Sequence, residues 1–189
     1  MVIGREGRLR GLALVHGLVG LGSCLCLIVY FTAGGPFGAI NDAGNGLFAV
    51  LSAVLAWFWQ YSDARTQGVL VGTATLGAAI AVVGSILILT DATGWFLSGL
   101  VSSAGFAVIG IWLVAVNRGA ADDPLSRRLR RSGLIAGVVM LLGFVSAPGI
   151  FMGLDDADTA PAWTYLGGFG WAGTYLLFPV WSLRLSRAD

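Results

Sequence analysis

Apolar residues run almost unbroken through six windows of this chain, near residues 11–33, 43–60, 68–90, 94–117, 131–153 and 162–184, and short polar or glycine-rich clusters separate them. Each window approaches or exceeds the roughly 20 residues that a helix needs to cross a hydrocarbon core. The pattern predicts an all-α, polytopic membrane protein. Because each window follows closely on the last, neighbours must run antiparallel, which groups the chain into one domain of three consecutive helical hairpins over residues 1–189.

Within the windows, small residues recur at helical spacing. Ala74, Gly77, Ala81 and Gly84 fall on one face of the third segment, and Ser98, Ser102 and Gly105 on one face of the fourth. Gly133 and Gly137 pair in the fifth, and Gly167, Gly170 and Thr174 in the sixth. Lipid tails are as apolar as leucine, so close approach through small residues must supply much of the packing between such helices. Pro148 and Pro179 each remove a backbone donor, which predicts a bend in the fifth and sixth segments.

Charge then orients the pattern. All eleven basic residues are arginine, and all fall on one side of the six-segment scheme. Arg5, Arg8 and Arg10 precede the first segment, Arg65 follows the second, Arg118, Arg127, Arg128, Arg130 and Arg131 lie between the fourth and fifth, and Arg184 and Arg187 close the chain. The other loops carry Asp42, Asp91, Asp155, Asp156 and Asp158 without a base. Short Arg-rich loops stay cytoplasmic, so both termini are expected inside the cytoplasmic (inner) membrane of a prokaryote. Arg127, Arg128, Arg130 and Arg131 are candidates for anionic headgroups. Asp122-Asp123-Pro124 just before them reads as a helix start.

The first segment begins after basic residues and contains Leu21-Gly22-Ser23-Cys24, but Leu25 to Phe31 remain apolar, so it reads as a spanning anchor rather than a cleaved leader. Cys24 and Cys26 point to nearly opposite sides of a helix, and no disulfide is expected.

Little ionisable chemistry is left inside. No predicted membrane core holds Asp, Glu, Arg or Lys, which argues against ion coupling, pumping and most catalysis. We expect no catalytic residue, metal or cofactor, and no nucleic-acid partner. The single histidine, His16, shares a face with Ala13, Gly20 and Ser23 and reads as a hydrogen-bonded core residue before a pH sensor or ligand contact. Six tryptophans near predicted helix ends, Trp57, Trp59, Trp95, Trp112, Trp163 and Trp181, read as interfacial belt residues. Trp171 stands near mid-membrane, where its indole N–H needs a partner. Thr174 and Tyr175 follow it. Asn41, Asp42 and Asn45 lie in the glycine-rich stretch from Gly34 to Gly46 and read as a capped, solvated turn before the second helix, or else as a polar mouth. With His16, Trp171, Thr174 and Tyr175 they complete the ligand or pore candidates. The Asp155 loop has the acidity of a calcium loop without its spacing and reads as solvated.

A finer echo links the returning helices. Trp59 precedes Arg65 by six residues, as Trp112 precedes Arg118 and Trp181 precedes Arg187. True triplication and a shared interfacial preference both account for it. Six helices in three hairpins, returning at Arg65, Arg118 and Arg187, with glycine-rich helices and Pro36 at the first outer turn, resemble the HdeD-like small membrane proteins linked to acid resistance. The resemblance implies no catalytic residue. The expected role is that of an accessory, scaffold or stress-associated interaction protein in the lipid bilayer, with a membrane-protein partner or a second copy. A passive channel for a small neutral or hydrophobic solute is the alternative, and an enzyme acting on lipid a third reading.

Overall fold

The computed structural model describes residues 3–118 and 127–188, and among these the chain is helical without a strand. Helix α1 (Ile3–Ala33) turns through Gly34 and Gly35 into α2 (Phe37–Phe58). The turn needs those glycines, because both take positive φ, +70° and +74°. Helix α3 (Ala64–Leu89) starts at an Asp63 cap, and α4 (Trp95–Asn117) follows the turn at Asp91. The fifth segment is α5 (Arg127–Leu141), α6 (Gly143–Ser146) and α7 (Pro148–Phe151). The sixth comprises α8 (Ala162–Gly168), α9 (Gly170–Ala172), a π turn (Gly173–Leu177) and α10 (Phe178–Leu185).

Among the described residues, five helices are long and apolar enough to cross a membrane. The sixth segment occupies the expected span but is interrupted rather than simply bent. Its glycines at 167, 168, 170 and 173 cost helix propensity, and Pro179 cannot donate to the carbonyl of Tyr175. The π turn immediately before Pro179 absorbs that lost hydrogen bond. The fifth segment breaks at Leu142 as well as at Ala147, just before Pro148. The expected helix start at Asp122-Asp123-Pro124 lies outside the described residues.

Each segment packs on the next, and the last returns to the first. The α3–α4 seam follows the small-residue stripes. A Cβ on Gly77 would come within 2.7 Å of the Gly105 carbonyl oxygen, and one on Gly84 within 2.8 Å of the Ser102 nitrogen. Helix α4 is the most enclosed of the five long helices. Its Phe106, Ile109, Trp112 and Leu113 join Phe48, Met140, Phe178 and Trp181 in one core. Large apolar side chains cover the outside instead, with Phe151 91% and Phe31 73% exposed. That inversion suits a protein surrounded by lipid.

Candidate functional site

Three polar layers lie between apolar packing in the bundle. The deepest is centred on His16, which is fully buried. Gly17 and Gly20 beside it bring neighbouring elements close, since a Cβ on Gly20 would meet Phe48 Cε2 at 2.7 Å and one on Gly17 the Pro179 carbonyl at 2.9 Å. The imidazole bridges two other segments. Its Nε2 lies 2.9 Å from Ser52 Oγ of α2, and its Nδ1 lies 2.8 Å from Ser182 Oγ of α10.

The hydrogens in this layer can be assigned by elimination. Ser52 donates its only hydroxyl hydrogen to the Phe48 carbonyl at 2.8 Å, so its oxygen can only accept from the imidazole. His16 therefore carries a proton on Nε2, and in the neutral imidazole Nδ1 then accepts from the Ser182 hydroxyl. The order Ser182, His16, Ser52 is that of nucleophile, base and orienting group. The surroundings do not suit that use: Phe48 and Phe178 lie with ring centroids 4.2 and 4.5 Å from the imidazole, and Ser182 is itself fully buried, away from the surface. The layer is a three-helix clasp, and the core-histidine expectation describes its environment.

The second layer departs from expectation. Helix α2 begins at Phe37, so Asn41, Asp42 and Asn45 stand on helix rather than in a solvated turn. The turn is confined to Gly34, Gly35 and Pro36, while Gly44 and Gly46 serve close packing: a Cβ on Gly44 would collide with the Ser23 hydroxyl, and one on Gly46 would crowd Ser85. Asn41 and Asn45 are 4% and 5% exposed. Tyr175, presented by the π turn, donates to Asn41 Oδ1 at 2.9 Å and accepts from Asn45 Nδ2 at 2.8 Å. Asn41 Nδ2 donates to Asp42 Oδ1 at 3.2 Å, and Asp42 is half-buried. Trp171 stacks on Tyr175 at 5.0 Å. Among the described residues its indole N–H meets no acceptor. Thr174 is buried but turns back, its hydroxyl 3.4 Å from the Gly170 carbonyl oxygen, and does not join the layer.

The third layer corrects the reading of the tryptophans. Trp57 and Trp95 are each 62% exposed, as belt residues would be, but Trp112 and Trp181 are fully buried. They meet Trp59 in one cluster, with ring centroids 5.8 to 6.3 Å apart. Trp181 Nε1 donates to Asn117 Oδ1 at 3.2 Å and Trp112 Nε1 to the Tyr61 hydroxyl at 2.9 Å. Tyr61 donates onward to the Ala56 carbonyl, and burial pushes its phenol up to about 12 against the opposing effect of the Trp112 bond. Buried indoles need such acceptors, which an interfacial position would leave to water.

At the helix termini, Asp63 caps α3 by accepting from the Thr66 hydroxyl and amide, and these bonds with that of Ser62 hold its carboxyl at about 2. Asp155, expected in a solvated loop, accepts from the amides of Gly94 at 2.6 Å and Leu97 at 3.1 Å, and so caps α4 from the loop beyond α7. On α5, Arg127, Arg128 and Arg131 are exposed and Arg130 is half-buried.

Ser52, Ser182, Asn117 and Tyr61 were not singled out by sequence reasoning, and Asp155 was read as solvated rather than as a cap. One signal was available. Asn41, Asn45, Phe48 and Ser52 follow a heptad-like 4,3,4 spacing, which marks a single inward face of α2. Among the described residues, no group of three or more His, Cys, Asp or Glu side chains is placed to hold a metal ion. Compared with protein-family models, curated proteins and solved structures, the chain matches none.

Proposed function

We propose that the chain is an integral protein of a prokaryotic cytoplasmic membrane. It crosses six times as three hairpins, keeps both termini in the cytoplasm, and acts without catalysis as an accessory, scaffold or stress-associated interaction protein. The observation that carries this reading is the filled interior. At the level of His16 the space between α1, α2 and α10 is taken by Phe48, Phe178, Ser52 and Ser182 in direct contact with the imidazole. A bundle closed in this way works through its outer surfaces.

Two features support the finer parts of the proposal. Arg127, Arg128 and Arg131 are exposed on α5. A cluster of exposed arginines is of the kind that attracts the anionic headgroups of a cytoplasmic leaflet. The convergence of Trp59, Trp112 and Trp181, each six residues before an arginine, favours repeated hairpins over a shared interfacial preference, and with it the likeness to HdeD-like proteins.

The test is extraction in a mild detergent followed by identification of co-purifying membrane proteins. A partner retained at fixed stoichiometry is the expected result, whereas clean isolation as a monomer counts against the scaffold reading. The alternative, a passive facilitator, draws on the polar layers above and below the Phe48–Phe178 rings, and conduction would require those rings to part. Absence of solute flux in liposomes containing purified protein would remove it.

A further inference from the structure

We propose that the layer formed by Asn41, Asp42, Asn45 and Tyr175 binds a primary ammonium group. The hydrogen-bond inventory of the layer is lopsided. Tyr175 spends its one hydrogen on Asn41 and accepts from Asn45, while Asn41 gives an amide hydrogen to Asp42. Each amide nitrogen keeps a second hydrogen, but both nitrogens have a partner, and the atom of the layer left with none is an acceptor. Among the described residues nothing donates to Asn45 Oδ1, although the atom is buried and its residue 95% enclosed. A buried acceptor left in that state is costly, so its persistence calls for a donor from outside the chain.

Charge narrows the class of that donor. Asp42 stands three residues before Asn45, on the neighbouring position of the same helix side. It is half-buried, its one hydrogen bond comes from a neutral amide, and no ion pair reaches it among the described residues. A partner must therefore donate a hydrogen bond to the amide oxygen and carry positive charge for the carboxylate. A hydroxyl supplies only the first, and a metal ion, though it would suit both oxygens, needs a fuller shell of ligands than this layer offers, where among the described residues no three His, Cys, Asp or Glu side chains come together. A primary ammonium supplies both, with three hydrogens on a single charge. The stacked rings of Trp171 and Tyr175 add aromatic surface of the kind that attracts cations. The group has two sources, a phospholipid with an amino headgroup or a free primary amine. The proposal rests on this layer alone and holds whether or not the protein has a protein partner.

The test uses the purified full chain in two arms. Thermal unfolding is followed with methylammonium, tetramethylammonium or sodium chloride at equal ionic strength. Lipid retention is measured by native mass spectrometry with phosphatidylethanolamine against phosphatidylcholine, whose methylated headgroup has no N–H. Saturable protection by methylammonium identifies a free amine, and selective retention of phosphatidylethanolamine identifies a headgroup. In either arm Asp42→Asn weakens binding about tenfold or more, the scale of one lost charge-assisted hydrogen bond, and Asn45→Ala does the same. Asp42→Asn is isosteric and decides the matter if Asn45→Ala fails to fold. Equal effects of all three salts together with equal retention of both lipids would overturn the proposal, as would preferential protection by sodium or wild-type binding by Asp42→Asn.

Discussion

Replacing His16 with alanine tests whether the clasp holds three segments together or merely fills space. The side chain bridges residues 36 and 166 positions away, so its loss acts on α1, α2 and α10 together. Ser52 keeps its bond to the Phe48 carbonyl, whereas Ser182 loses its acceptor. Hydrogen bonds between helices in a bilayer average about 0.6 kcal/mol and reach about 1.7, so two of them contribute about 1–3 kcal/mol. The imidazole also packs on Phe48 and Phe178, and truncation of a large buried side chain leaves a cavity costing about 2 kcal/mol more. The expected loss is about 3–5 kcal/mol, measured by steric trapping or denaturant titration in micelles. A double-mutant cycle separates the two contributions. His16→Ala and Ser182→Ala should couple by at least about 0.5 kcal/mol, beyond the scatter expected of independent sites. Strict additivity, or a His16→Ala loss below about 1 kcal/mol, would refute the clasp.

The same network predicts a neutral imidazole protonated at Nε2, which ¹⁵N spectra of labelled protein should report directly; a proton on Nδ1 would break the assignment made through Ser52. Gly105→Ala should cost about 1–3 kcal/mol, since its Cβ would come within 2.6 Å of the Gly77 carbonyl, whereas Gly99→Ala, which meets nothing, should be neutral or gain up to about 1 kcal/mol in the same titration. Asp155→Ala should fray the start of α4, seen as faster hydrogen exchange at Gly94 and Leu97, and unchanged exchange would show that the cap is idle. Asp63, held at about 2, favours the folded α3 terminus above the ordinary carboxylate range near 4 and loses that contribution as pH falls toward 2, so amide exchange at Thr66, corrected for intrinsic rates, should rise only in strong acid.

The helix count and seams were legible because they depend on local properties. Apolar length defines a segment, and spacing of small residues defines a face, as Gly77 and Gly84 show against Gly105 and Ser102. The start of α2 was not. A run containing Gly38, Gly44 and Gly46 reads as loop when glycine is taken as a breaker, but Gly44 and Gly46 are there to admit Ser23 and Ser85, and helix length is sustained by packing on α1 and α3. The interruption of the sixth segment was half legible, since Pro179 marks a lost bond without stating that a π turn absorbs it. Site membership was least accessible. Nothing local in Ser182 announces a histidine 166 residues earlier, and an interfacial tryptophan cannot be told from a buried one until its neighbours are known.

The tryptophan cluster has a mechanical meaning. Trp59, Trp112 and Trp181 tie three segments together near the arginines, and Asn117, wedged against Gly133, brings in a fourth. The backbone breaks at Leu142, Ala147, Phe169 and the π turn all lie in the other half of the bundle. One end is knotted by side chains and the other is jointed in its backbone, so the two ends of the bundle are built on different principles, and Asn41, Asp42 and Asn45 stand toward the jointed one.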